Sequence, residues 1–207
     1  MIPALTIDEI KKSCANRYEY GESRIVGIMI ARYTIENSQK MIRRQYSHWH
    51  YWAGKALDIF WLGYGAYIFP GEPGQYLVGD INEEPNVYFD AKVFVDGISD
   101  LEFLADYKYK DSIGILLCNY HDGAIHLNES AYIDFEVLTV GDDWKDRRLR
   151  DFSNSLITEC KRSHDVAKVI FRLRTKRSSY GLLDIRSSAF VTDAVKGLIS
   201  LFSGFIK

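Results

Sequence analysis

Few side-chain combinations in this chain could do chemistry. Asp90-Ala91-Lys92 has the acid-x-Lys form with which metal-dependent nucleases hold a cation and steady the attacking water, and Asp58 or Asp80 could supply the upstream carboxylate. That chemistry needs the triplet on a strand, so it depends on which element forms at 90–92. His48-Trp49-His50 would face one metal from a strand, but on a helix residues two apart point to different sides. The helical alternative is an aromatic packing face shared with Tyr46, Tyr51 and Trp52. His121 and His126 flank a turn signal, with no cysteine or carboxylate trio at ligand spacing, so no metal is expected there. Walker, Gly-x-Gly-x-x-Gly, Gly-x-Ser-x-Gly and Cys-x-x-Cys motifs are all missing from the sequence, and no cofactor is expected.

The three cysteines, Cys14, Cys118 and Cys160, are widely spaced beside apolar or helical patterns and read as reduced, buried hydrophobes. No apolar run approaches the 18 or more residues of a membrane span. The N-terminus also lacks a basic region followed by an apolar core, so a cytoplasmic location is expected. With 207 residues, 47% of them hydrophobic, the chain can fill one core. The expected division is an N-terminal segment at 1–19, an α/β domain at 20–162 and a helical extension at 163–207.

The elements that must position these side chains follow from periodicity. Ser23 to Ala31 is a short, β-branched apolar run and predicts a buried strand. Ile35, Ile42, Tyr46, Trp49 and Ala53 share one helical face, with Thr34 as a cap and Gly54 as a stop. Leu57 to Tyr64 predicts a second strand, and two strands joined by such a helix lie parallel in one sheet. Pro70, Pro73 and Pro85 with Gly71, Gly74 and Gly79 mark a long loop. Residues 87–105 carry both strand and helix spacing, and a helix is predicted from about Asp90. Asp122-Gly123 between two apolar runs predicts a hairpin, and Leu149, Phe152, Leu156 and Cys160 the helix after it.

This order, βαβ, helix, hairpin, helix, resembles the thioredoxin-like fold with a mixed central sheet. The stretches Tyr88 to Phe94, Tyr107 to Lys110 and Ile115 to Asn119 also resemble a loosely defined family of uncharacterised bacterial proteins. A redox member would place Cys-x-x-Cys where this chain has Arg32-Tyr33-Thr34-Ile35, and a proline just before Ile113. The resemblance therefore implies a scaffold without thiol-disulfide exchange. It implies a non-catalytic binding or interaction module of a bacterial cytoplasmic system, with an accessory or effector role in antiviral defence as one setting.

Charge and amphipathicity point to surfaces. Residues 80–143 hold fifteen Asp and Glu against three Lys, whereas 145–186 hold twelve Lys and Arg against five acids. Lys168, Arg172, Arg174, Lys176 and Arg177 are the candidate contacts for phosphate or an acidic partner, nucleic acid included. The simpler expectation is that the two segments neutralise each other, because the net charge of −2 is not basic. At the C-terminus, Phe190, Val191, Val195, Leu198, Phe202 and Phe205 form an amphipathic stripe. It would dock on the domain, pair with a protein partner or a second copy, or lie in a membrane surface as a membrane-perturbing effector.

Overall fold

β1 (Arg24–Ile30) is the centre of the molecule because six of its seven residues are buried, as a strand covered on both faces must be. β2 (Asp58–Trp61) pairs with it in parallel, with Val26 opposite Asp58 and Met29 opposite Trp61. On its other side β6 (Gly114–His121) runs antiparallel, with Ile28 opposite Leu116. β7 (Ala124–Asp134) returns along β6, and the short β8 (Ile185–Ser187) closes the far edge. The resulting mixed sheet has the order β2-β1-β6-β7-β8. The computed structural model describes residues 3–35, 39–43, 48–49, 53–54, 56–66, 73–79, 87–105, 107–135, 144–175 and 185–203.

The expected helix between β1 and β2 is present at 39–43, 48–49 and 53, and its start and the rest of its course lie outside the described residues. Ile42, Trp49 and Ala53 are buried, as the spacing requires. Trp49 stacks on Phe135, and Phe135 meets Phe152 edge to face. Each such aromatic pair adds about 0.5–1.5 kcal/mol beyond area burial. Phe152 belongs to α3 (Trp144–Arg162), so the helical residues around 49 and α3 are packed together.

The apolar run Leu57 to Tyr64 is not one strand. Gly63 takes a φ of +78°, and a Cβ there would come within 2.8 Å of Phe94 Cβ, so the chain turns at the one residue that fits. Beyond it, β3 (Tyr64–Ala66), β4 (Gln75–Gly79) and β5 (Val87–Asp90) form a second, antiparallel sheet in the order β3-β5-β4. The stretch expected as one long loop thus contains a strand. The ambiguity at 87–105 resolves as both elements in turn, β5 and then α2 (Ala91–Leu104).

The N-terminal segment is a structured part of this core. Thr6 and Glu9 form a capping box for α1 (Ile7–Arg17), whose Ile7, Ile10 and Cys14 are buried. Leu5 bonds both Tyr64 and Gly63, and the Ala4 N–H donates to the Tyr88 hydroxyl at 2.9 Å. After α3 come α4 (Val166–Thr175) and α5 (Ala189–Ser203). Val191 and Val195 of α5 are buried in the same core as β1.

Candidate functional site

A hollow runs along β2, the edge strand of the five-stranded sheet. Its volume is about 490 Å³, within the range of small-molecule sites. Trp49, Phe60, Trp61 and Tyr64 supply an aromatic lining, and Ser13, Arg17 and Asp58 the polar groups. Arg17 at the end of α1 bonds the Asp58 carboxylate at 2.6 Å and lies over the Phe60 ring at 5.9 Å. The Tyr18 hydroxyl donates to the other Asp58 oxygen. Burial, and then the bond to Asp58, pushes the Tyr18 phenol up. Cys14 lies one helical turn before Tyr18, and burial, helped by the Asp58 charge, pushes its thiol up to about 12. A thiol held there is protonated and inert near neutral pH.

The nuclease residues Asp58 and Asp90 belong to different sheets. Asp58 sits on β2 with Arg17 and Tyr18, whereas Asp90 ends β5 in the other sheet. Asp90 is the N-cap of α2: its Oδ1 accepts the N–H groups of Lys92 and Val93, and its Oδ2 accepts from Gln75. Lys92 therefore opens a helix instead of occupying a strand, and the triplet has the form of a capping sequence. Asp80 lies outside the described residues.

The position that would carry a redox motif is filled by polar packing. Tyr33 is buried, receives a bond from Arg43 at 2.8 Å, and donates to the Val78 carbonyl at 3.4 Å. Arg32 pairs with Asp111 at 3.3 Å. Cys118 and Cys160 are fully buried, and desolvation raises both thiols, that of Cys160 to about 12.

Several described cations of the basic segment are paired within the chain. Glu159, with no exposed surface, pairs with Arg162 at 3.2 Å and Arg172 at 3.6 Å. Lys168 pairs with Asp165, and Arg174 donates to the Ile185 carbonyl. The expected link to the acidic middle exists in Arg186, 3.0 Å from Asp134. The pairs at Glu159, by contrast, lie within the basic segment itself. Lys176 and Arg177 lie outside the described residues.

The tail docks through part of its stripe. Val191 and Val195 are buried and Leu198 is half-buried, whereas Phe190 and Ile199 are 53% and 52% exposed on the two flanks of that face. The side chain of Phe202 and the whole of Phe205 lie outside the described residues. No described helix is long and apolar enough to cross a membrane.

One grouping that the sequence did not reveal lies at the β6–β7 hairpin. Asp122 and Gly123 both take positive φ, +51° and +78°, as a two-residue type I′ turn demands. That turn sets Asn119 opposite His126, while the core end of the hairpin sets Cys118 opposite Ser130. The mismatch is absorbed as a bulge at Leu127, Asn128 and Glu129, which brings Glu129 beside the two histidines. The sequence has no cysteine or carboxylate trio at ligand spacing around these histidines, and the fold brings one carboxylate, that of Glu129, to them. The two imidazoles stack with centroids 3.7 Å apart. His121 Nδ1 lies 2.8 Å from Asp122 and Nε2 3.1 Å from Glu129. The bonds to Asp122 and Glu129 raise the His121 pKa. Burial alone would raise the Glu129 carboxyl, but bonds from Asn119 and His121 outweigh it and lower its pKa.

His48 Nε2 donates to Ser153 Oγ at 2.7 Å, because that hydroxyl gives its own proton to the Arg150 carbonyl. Tyr46, His50, Tyr51 and Trp52 lie outside the described residues. The chain matches no protein-family model, no curated protein and no solved structure.

Proposed function

We propose that this chain is a non-catalytic binding module that receives an apolar, aromatic group with one polar substituent, from a small molecule or a partner's side chain. The hollow along β2 carries this reading: aromatic walls hold the apolar body, and the Arg17–Asp58 pair offers one donor and one acceptor for orientation. The scaffold is read as thioredoxin-like, elaborated by the β3-β5-β4 sheet. The strand order β2-β1-β6-β7, with β6 antiparallel to β1, supports that reading. Buried, raised thiols and the polar packing at Tyr33 support binding over thiol exchange, and unpaired cysteines suit a reducing, cytoplasmic setting. The exposed Phe190 and Ile199 favour α5 as a second contact surface.

Ser13 is half-buried on the wall of the hollow, so Ser13→Trp should fill it without entering the core. A saturation-transfer NMR screen with aromatic fragments bearing one carboxylate, amide or amine should find binders of the native chain that Ser13→Trp no longer holds. Fragments bound equally by both proteins would place the binding surface elsewhere.

A further inference from the structure

We infer that the β6–β7 hairpin is a site for a divalent ion of the zinc class, held by His121, His126 and Glu129. One ring nitrogen of each histidine and a carboxylate oxygen of Glu129 lie within 4.8 Å of one another. Two imidazoles and a carboxylate form a donor set that zinc accepts, with a fourth position left for water. Metal–ligand bonds of about 2.0–2.1 Å in a tetrahedron put donor atoms roughly 3.4 Å apart. His121 Nε2 and Glu129 are already at 3.1 Å, whereas the two rings lie face to face, 9° from parallel, so His126 must turn out of the stack for both ring nitrogens to point at one ion.

The surroundings are built as those of a metal site are. Asp122 takes the Nδ1 side of His121 at 2.8 Å, which leaves Nε2 directed at Glu129, the carboxylate–histidine arrangement that orients a metal ligand. The buried Asn119 holds Glu129 from behind, donating through Nδ2 at 2.9 Å. Its Oδ1 accepts the Val166 N–H at the start of α4, also at 2.9 Å, which fixes which way the amide faces. His126 is restrained by a 3.2 Å bond to the His121 carbonyl. Hairpin turn, bulge and helix start thus converge on three ligand side chains that are each only partly exposed.

Isothermal titration of the full chain with zinc chloride tests this, alongside cobalt(II) as a spectroscopic substitute. One ion should bind per chain, with the intense visible bands of tetrahedral cobalt, and magnesium should not compete because it prefers oxygen donors. Glu129→Gln should weaken zinc at least tenfold, and Asp122→Asn should weaken it by about 10–100-fold through the orientation of His121. On the native chain, histidine ring-nitrogen NMR should show zinc moving the signals of His121 and His126 and leaving those of His48 and His164. That readout needs no variant to fold. Absence of binding, unchanged affinity in Glu129→Gln, or ring shifts at other histidines would overturn the assignment.

Discussion

Asp90 commits both carboxylate oxygens to its own neighbourhood, Oδ1 to two α2 amides and Oδ2 to Gln75. An N-cap of this kind is worth about 0.5–2 kcal/mol, so Asp90→Ala should lower stability by that amount in urea unfolding, and Asp90→Ser should recover most of it. Equal losses in the two variants would contradict the capping role. The cap was legible in the sequence as the start of the expected helix. The partner of Asp58 was not: Arg17 is 41 positions away, and no local spacing announces a contact made by α1 lying along β2. Glu129 was hidden for a related reason. Alternation along a regular hairpin says nothing of the bulge that brings it to His121 and His126.

At the scale of elements, strong periodicity carried well and ends carried poorly. β1, the parallel β2, the Asp-Gly hairpin, α2 and the stripe of α3 follow the apolar patterns. The run from Leu57 to Tyr64 misled because Gly63 breaks it, and that break is imposed by Phe94 from α2. The contact between the helical residues near 49 and α3 has a pH dependence of known sign. Burial, then the charge of Arg150, lowers the His48 pKa, so the fold holds this ring neutral. The unfolded chain takes the proton near the ordinary imidazole value of about 6.5, while the fold takes it only at lower pH. The contribution is therefore complete above about 6.5 and fades as pH falls toward the folded value. Unfolding midpoints measured from about pH 7.5 to 5 should fall more steeply for the native chain than for His48→Gln, which keeps the donor to Ser153. Parallel curves would show that His48 is not held neutral.

Across the whole molecule, one hydrophobic core takes in residues from α1 to α5, so the segments before and after the central domain are parts of its packing. The charge separation along the sequence is resolved in two ways. Arg186 reaches the acidic middle at Asp134, while the buried Glu159 gathers Arg162 and Arg172 from its own segment. Glu159 itself is fully buried and depends on these two partly exposed arginines to offset its charge, whereas the same arginines read from the sequence alone look free for phosphate. What composition and periodicity could not show is the hollow, because its walls come from α1, from Trp49, Ala53 and Gly54, and from β2 and β3. Shape of that kind appears only when the edge strand is in place. Its occupancy is the most direct test of the account. Amide NMR of the native chain, saturated with a fragment that Ser13→Trp rejects, should show shifts concentrated at residues 13–17 and 58–66. Shifts confined to α5, with β2 unchanged, would contradict it.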